Sequence, residues 1–542
     1  MDLARLLTVV PQSCEPGLSL PRGAALGGAA INFDQESRSV TQIRRLVSFE
    51  PLQWKGPLAG SYWSAVGLVI AALTPFLVLS AATTPLQTMI GHAVNLGGPG
   101  MEMSGGLADA AYCFGTILAV QLVCKAPSRR LLAVYAALFT LFTIMIALSH
   151  SPALWFIGRI GQGMMTSLML ITAAPALVLG FPLKRMRTTA MVMNMGIFGA
   201  VAVGPVIGGA FVSLGDWRLL FWIAAAVGFF ALLMVIVTFS DMPPADPKMK
   251  LDLESLGLAS VGCTAAFFGA SSLSNHPFIS AIVLIPLLFG LACIVGLIFH
   301  QSYVEDPIMP IKQLGHTIPV AAIMLALFAG AGSVALTSLL QITQATHGVS
   351  SAVFWPEFGG AVVTAFLFGR LFFTRYVPLF AHAGLGCLAL TGILAVFSNH
   401  GSPALLAIAT GGLGLGVGAS VAPALFVAGF SLPALQLPRI FALVEMLRGV
   451  AAFMTAPLVV HLAETSGTSL EQGIRYGTWV CVGLMAIGFF AVLGVIIAGG
   501  VKLQDPQYEP WMNGDGAAID SSDLFAKLRG KSGTPDALSE LL

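Results

Sequence analysis

The chain has 542 residues, of which 56% are hydrophobic and only 9% are charged. Soluble domains carry roughly 25% charged residues, so this composition excludes an ordinary soluble protein and indicates an integral membrane protein. The formal net charge of +1 offers no basic surface of the kind that binds nucleic acid, so a nucleic-acid partner is excluded as well.

Apolar segments long enough to cross a bilayer recur along the chain. A window of about 19 residues, enough to cross roughly 30 Å of hydrocarbon, finds fourteen of them. We therefore predict an all-α membrane protein. Its spans lie near 62–84, 105–124, 131–149, 152–179, 188–212, 219–239, 256–273, 277–300, 318–341, 357–374, 379–397, 403–430, 439–462 and 477–500.

The positive charges test this count independently. With the N-terminus inside, only Arg218 and Arg475 fall on the outer side, and Arg159 and Arg448 fall within spans; the rest of the 26 Lys and Arg fall on the cytoplasmic side. Cytoplasmic loops of membrane proteins carry such an excess of positive charge. The pattern predicts that both termini are cytoplasmic and that the lipid bilayer surrounds a multi-pass protein.

Polar segments flank the spans at both ends of the chain. We predict that residues 1–58 form a mostly disordered cytoplasmic tail with a short helix around Val40 to Phe49, and that residues 501–542 form a second cytoplasmic tail. Within the second tail, SSDLFAKLRG is expected to form one or two interfacial turns. The N-terminal run LARLLTVV is too short for a signal peptide.

Charged and polar side chains interrupt the second and fourth spans. Asp109 lies about one turn into the second span beside Tyr112, and it either faces the interior or is solvated at the outer headgroup level. Arg159 and Gln162 lie on neighbouring faces of the fourth span. We regard Tyr112, Gln162 and Glu357 as candidates to line a central cavity. Asp109 and Arg159 enter from the same side, so we expect that they can pair, either to bind a proton or only to join two helices.

Small residues line one face of the fifth span, GIFGAVAVGPVIGGAF. Gly196, Ala200, Gly204 and Gly208 recur every four residues, with Gly199 and Gly209 beside them, and Pro205 removes a backbone donor among them. Small residues at this spacing allow another membrane helix to approach closely. We therefore expect this face to form a helix–helix contact.

Ionisable residues also occur in the second half of the chain. Glu357 opens the tenth span, and Glu445 and Arg448 lie three residues apart in the thirteenth, a spacing at which helical side chains pair. This pair either neutralises itself near the inner interface or contains a carboxylate that titrates. We regard Asp109 with Arg159 as the first candidate proton site, Glu445 with Arg448 as the second, and Glu357 as the third.

The block from about Ala111 to Ile223 resembles the first half of a major facilitator superfamily transporter, specifically of the fourteen-span drug:proton antiporter family. The resemblance rests on WFIGRIGQGMMTS in the fourth span, on the G-P-x-x-G-G core of the fifth, and on GDWRLLFWI after it. It implies a six-helix bundle over 59–240, a linker with two additional helices over 241–317, and a second six-helix bundle over 318–500. In that fold the face from Gly196 to Gly209 is expected to seal the interface between the two bundles.

Two motifs of that family differ in this chain. The loop after the second span usually reads G-x-L-a-D-r-x-G-r-k. Here it reads QLVCKAPSRR, with Lys125 at the aspartate position, Ser128 at a glycine position, and Arg129 and Arg130 matching. The first span, which often carries an aspartate, reads VLSAATTPLQ and has no acid. The proton-binding carboxylate is therefore expected elsewhere.

The resemblance implies a proton-coupled exporter of apolar or amphipathic molecules in a bacterial inner membrane, working by alternating access. A periplasmic adaptor and an outer-membrane channel are the implied partners. The spacing of Cys and His predicts no metal site, no cofactor motif is present, and no enzymatic motif occurs. Two alternatives stay open: a uniporter or importer of a small metabolite, and a non-transporting receptor or scaffold on the same fold.

Overall fold

A computed structural model describes residues 57–58, 60–239, 250–304, 307–398 and 401–524. Fourteen helices in these ranges are long and apolar enough to cross a membrane, which confirms the predicted number of spans. We number them α1 to α14: Tyr62–Val94, Gly98–Lys125, Ser128–Ala147, Pro152–Leu179, Leu183–Leu214, Trp217–Thr238, Leu253–Ser271, Ala281–Tyr303, Thr317–Thr346, Trp355–Leu371, Val377–Ser398, Pro403–Phe430, Leu437–Thr465 and Leu470–Ala498. The predicted helix around 40–49 lies outside the described residues, as does most of the predicted turn near 521–530.

The connection between α1 and α2 is much shorter than the glycine-rich sequence suggested. Helix α1 continues to Val94, Asn95 ends it in the left-handed region at φ 57°, and α2 already begins at Gly98. Glycine and proline are more frequent in membrane helices than in soluble ones, so this glycine-rich stretch can be helical. Asp109 consequently lies about three turns into α2 rather than one.

The helices form two bundles of six with an additional pair. Helices α1–α6 make up the first bundle, α9–α14 make up the second, and α7 packs against α8. The two bundles meet along two seams, one between α5 and α10 and the other between α2 and α13. Helix α7 packs against α2 and also contacts α13, so the additional pair lies beside the second seam.

A polar cluster holds one end of the additional pair. Asp252 caps α7 by accepting a hydrogen bond from the backbone N–H of Ser255 at 3.0 Å, and Gln301 of α8 donates to the Asp252 carboxylate at 3.0 Å. Gln121 of α2 donates to the backbone carbonyl of Asp252 at 3.2 Å. Partial burial alone would raise the pKa of Asp252. Hydrogen bonds from Ser255 and Gln301 and the nearby His300 lower it by more, so the net pKa falls below its usual value. The cluster thereby links the pair to the first bundle.

The segment after α14, described to residue 524, packs across the second bundle at the end that carries the α2–α3 connection. We call residues 501–524 the C-terminal segment. It contains a short helix, α15, over Tyr508–Asn513, and the sequence had suggested only a polar tail here. Tyr508 and Trp511 are buried in a cluster of aromatic rings, with the Trp511 ring centroid 4.9 Å from that of Phe430. Helix α15 also contacts α5 of the first bundle.

The C-terminal segment satisfies backbone groups at several helix ends. The Trp511 indole N–H donates to the Leu432 carbonyl at 2.8 Å, just past α12, and the Tyr508 hydroxyl donates to the Phe372 carbonyl at 2.9 Å, just past α10. At the start of α9, the backbone N–H of Thr317 donates to the Ser522 carbonyl at 3.1 Å. The ends of a helix lack internal partners, and this segment supplies them.

Replacement of Trp511 by Ala tests this packing. Because the substitution removes a fully buried indole and its hydrogen bond, we expect the free energy of unfolding to fall by about 3–5 kcal/mol. The loss is measured as a lower melting temperature of the purified protein in detergent. Leu503→Ala, at a 44% exposed position of the same segment, is the control and should melt like the wild type. Equal melting of the two variants would contradict the packing.

Candidate functional site

A cavity of about 590 Å³ lies between the two bundles. Its wall comes from both bundles and from the end of α7, and it extends from the middle of the helices to the end that carries the α1–α2 connection. Glu102 and Glu464 lie at its rim and are exposed, so the cavity opens at this α1–α2 end. A volume of this size is typical of small-molecule sites.

Six of the residues predicted to form a site line this one cavity, although they come from four different helices. They are Asp109, Tyr112, Arg159, Glu357, Glu445 and Arg448. Gln162, also predicted to face the cavity, is instead fully buried behind Arg159, where it orients the guanidinium. The structure therefore brings the candidate residues of the first bundle into one compartment with those of the second.

Glu445 and Arg448 form an ion pair within α13. Arg448 Nη2 donates to Glu445 Oε2 at 2.5 Å, and its Nε donates to Oε1 at 3.4 Å. The Tyr112 hydroxyl of α2 donates to the same Oε2 at 3.3 Å. The Glu445 carboxylate thus has a cation on its own helix and a hydrogen-bond donor on the other bundle. Such an arrangement compensates a buried negative charge.

Arg159 is buried on α4 and held by polar and aromatic neighbours. Its Nη1 donates to Gln162 Oε1 at 3.2 Å, and Gln162 in turn donates to the Thr143 hydroxyl at 2.8 Å. The guanidinium carbon lies 5.8 Å from the centroid of the Phe76 ring. Asp109 lines the cavity close to Arg159, but among the described residues no ion pair within 4.0 Å joins their charged atoms. Both side chains therefore line the same cavity without being joined by an ion pair.

Stacked aromatic rings connect the surroundings of Arg159 with those of Glu445. Phe76, beneath Arg159, stacks on Tyr112 with ring centroids 6.1 Å apart and an angle of 7° between the ring planes. Tyr112 also meets Phe453 of α13 edge to face at 6.5 Å. Through its ring and its hydroxyl, Tyr112 contacts the surroundings of both Arg159 and Glu445. It thereby connects polar groups of the two bundles.

Glu357 differs from the other carboxylates of the cavity. Glu357 is 5% exposed, and its Oε2 has no hydrogen-bond partner in the described part of the chain. It lies in the first turn of α10, where α10 packs against α5 and α12. The backbone carbonyl of Glu357 approaches Gly414 of α12 too closely for any side chain larger than hydrogen at position 414.

The structure divides the small-residue face of α5 between two neighbours. A methyl group at Gly204 would lie 2.5 Å from the Ala81 side chain, and one at Gly208 would overlap the Ala82 carbonyl, so these glycines fit against α1 within the first bundle. Gly199 and Gly209 instead face Phe358 and Ser351 of the second bundle. Gly199 and Gly209 thus lie at the interface between the bundles. Gly204 and Gly208, which we call the Gly204 row, instead join helices of one bundle.

Several cavity residues were not predicted from the sequence. Ser271, Leu273 and Ser274 at the end of α7 line the cavity, although the additional helices had no expected role there. Glu102 and Glu464 were likewise missed as rim residues. The charge of Glu102 and Glu464 within otherwise apolar helices was a signal in the sequence. No feature of the sequence indicates that α7 packs against α2, the contact that brings Ser274 to the rim.

Matched alanine substitutions test the close approach of α5 and α1. In Gly204→Ala the new methyl group clashes with Ala81, whereas in Gly196→Ala it would lie 3.5 Å from Ile70, an ordinary contact. Overpacking costs about 1–3 kcal/mol, so we expect a lower melting temperature and less transport for Gly204→Ala only. Two variants of equal stability would show that the helices are not in close contact at Gly204.

Two bundles of six helices thus enclose a central cavity lined from both sides. The family model of the Major Facilitator Superfamily matches residues 64–346, just over half of the chain. The chain therefore belongs to the Major Facilitator Superfamily. This confirms the fold that the arginine-bearing fourth span and the fifth-span signature implied.

Curated relatives are distant and match in part. The chain is 26% identical over 272 residues to the uncharacterized MFS-type transporter YubD of Bacillus subtilis, covering 49% of this chain and 52% of the relative. It is 29% identical over 170 residues to the lincomycin resistance protein LmrB of Listeria innocua, covering 31% and 36%. It is 26% identical over 183 residues to the cephamycin export protein CmcT of Amycolatopsis lactamdurans, covering 33% and 37%. The chain thus spans about half, or less, of the length of these relatives.

Solved structures share the fold. A POT family transporter in complex with 5-aminolevulinic acid superposes with a TM-score of 0.60 at 12% identity, covering 82% of this chain and 98% of that one. The human organic anion transporter MFSD10 superposes with a TM-score of 0.55 at 11% identity, covering 80% and 99%. At such identities the likeness shows the fold alone.

Proposed function

We propose that the protein is a proton-coupled exporter of apolar or amphipathic small molecules, of the multidrug-efflux type, in a bacterial inner membrane. In this proposal the α2–α3 end, with its excess of Lys and Arg, faces the cytoplasm together with both termini. The α1–α2 end, where the cavity opens, then faces outward. The conformation is accordingly outward-open, the state in which an exporter releases substrate and takes up a proton.

The observation that carries the proposal is the concentration of ionisable groups in one cavity. Asp109, Glu357 and Glu445 line it together with Arg159 and Arg448. Ionisable side chains inside membrane spans are costly and commonly form ion or proton pathways. A wall that combines carboxylates with fixed cations offers proton-binding groups next to the substrate compartment, which coupled exchange requires.

The cavity lining supports an amphipathic substrate that carries a positive charge. Phe76, Tyr112, Trp155, Phe198 and Phe453 present aromatic faces, which attract cations as well as apolar groups. The charged lining residues comprise five carboxylates against two arginines. The carboxylates are those of Glu102, Asp109, Glu357, Glu445 and Glu464. This balance disfavours polyanions.

The names of two relatives support the outward direction. One is a lincomycin resistance protein and another a cephamycin export protein. Both names describe the removal of small organic molecules, and both relatives share a region of this chain at 26–29% identity. A periplasmic adaptor and an outer-membrane channel belong to the proposal only as the partners implied by the family resemblance.

Alternating access requires the two bundles to rock about the cavity. The α5–α10 seam is closely packed through Gly199 and Gly209, whereas the α2–α13 seam includes the hydrogen bond between Tyr112 and Glu445. The Tyr112 contact must break or reorganise if α2 and α13 separate. The charge and hydrogen bonding of Glu445 would thereby influence which state is populated.

Dye efflux from cells tests the proposed function. Cells that produce the wild type should expel a lipophilic cationic dye, and a protonophore should abolish this efflux. Asp109→Asn leaves Arg159 without its nearby carboxylate, so we expect efflux to fall roughly tenfold. Glu254→Gln is the control and should behave like the wild type, because the Glu254 side chain is 81% exposed and lies outside the cavity.

Other outcomes favour the alternatives. Efflux that survives the protonophore would overturn proton coupling and favour a uniporter or importer of a small metabolite. Binding of ligands to purified protein without any flux in liposomes would favour a receptor or scaffold on the same fold, because fold alone does not determine function.

A further inference from the structure

We infer that Glu357 is the residue that carries the coupling proton, and that its carboxyl group holds either that proton or the positive charge of the substrate. The inference rests on the proposed proton-coupled export and names the group responsible. It reverses the order of candidates expected from the sequence, which placed Asp109 first and Glu357 third.

The first argument is the burial of Glu357 without a partner. The residue is 5% exposed, lines the cavity, and has an Oε2 atom with no hydrogen-bond donor in the described part of the chain. An ionised carboxylate in such a position would be an uncompensated buried charge, which is strongly unfavourable. A neutral carboxylic acid avoids this cost, so the site is suited to hold a proton.

The second argument is the absence of charge on the helices around Glu357. Helix α12, which packs against α10, contains no acidic or basic residue from Pro403 to Phe430. Helix α5 carries Lys184, Arg185 and Arg187 only at its start, at the opposite end from Glu357. The 3₁₀ turn Ser351–Phe354 before α10 carries none. No fixed cation on these elements holds the carboxylate in its ionised form.

The other two carboxylates inside the rim of the cavity each have an arginine near them. Glu445 accepts two hydrogen bonds from Arg448 and one from Tyr112, so its negative charge is compensated in place. Asp109 lies near Arg159, which is itself held by Gln162. A fixed cation favours the ionised form of a carboxylate and thereby opposes proton uptake. Glu357 is the carboxylate whose compensating positive charge must come from a mobile partner.

The location of Glu357 connects its charge to both the substrate and the bundle interface. It lines the cavity that opens at the α1–α2 end, and the next residue in the chain, Phe358, contacts Gly199 of the first bundle. A cationic substrate that approaches Glu357 compensates the ionised carboxylate, and the displaced proton leaves to water. Release of that substrate restores the uncompensated charge, which a proton from the cavity then neutralises. The Glu357 carboxyl group thus holds the proton and the cationic substrate in turn.

Proton release on substrate binding tests the inference. Purified protein in weakly buffered detergent solution with a pH indicator is mixed with tetraphenylphosphonium, a lipophilic cation. The wild type should release protons on binding, and E357Q should bind the cation without release, a complete loss of the pH signal. The exposed-site control E254Q should retain the release. E357Q that releases protons like the wild type would overturn the inference and leave proton coupling intact.

A second measurement decides the matter if E357Q does not bind the cation. Infrared spectra of the substrate-free proteins at neutral pH are compared in the region of the carboxylic C=O stretch. A neutral Glu357 predicts a band in the wild type that E357Q lacks and E254Q keeps. Identical spectra would overturn the inference. A wild type that binds the cation without releasing protons, and whose transport ignores the protonophore, would instead refute the proposed function together with this assignment.

Discussion

The cost of placing charge inside membrane-spanning helices governs the arrangement of this molecule. Five of the charged side chains in helices α2, α4, α10 and α13 line one cavity inside its rim: Asp109, Arg159, Glu357, Glu445 and Arg448. Each of these side chains would be strongly unfavourable if it faced lipid. The two bundles are therefore assembled so that these polar groups meet at a common surface, which forms the wall of the cavity.

The two seams between the bundles differ in chemistry. At the α5–α10 seam, glycines such as Gly199 allow the helices to approach through apolar contacts. At the α2–α13 seam, the Tyr112 hydroxyl bonds to a carboxylate that Arg448 also holds. A hydrogen bond to a charged group depends on geometry and protonation, whereas the buried hydrogen bond from Asn194 of α5 to the Gly418 carbonyl of α12, beside the first seam, involves no charged group. The C-terminal segment ties the ends of α9, α10 and α12 together, which favours movement of the second bundle as one unit.

Much of the fold could be predicted from the sequence, because hydropathy and the distribution of Lys and Arg report directly on membrane spans. The partners of each helix could not. The Gly204 row was expected to make a close contact, but its spacing does not say that the contact is α1 rather than the other bundle. The C-terminal segment appeared as a tail, because polar residues that cap helix ends have the same composition as solvated ones. The convergence of Tyr112 on Glu445, 333 positions apart, depends on tertiary packing alone.

The contrast between paired and unpaired carboxylates assigns different roles to groups of the same chemical type. A carboxylate held by a fixed arginine has its charge compensated in place, so it contributes to the electric field of the cavity without recruiting a mobile cation. Glu445 with Arg448 is such a group. A carboxylate without a fixed cation must change its charge or recruit a mobile one whenever its surroundings change. Glu357 lies where α10 packs on α5 and α12, and its Oε2 has no hydrogen-bond partner among the described residues. In the proposed mechanism, proton binding, substrate binding and bundle movement would therefore act on the same few atoms, which is the physical requirement for coupling them.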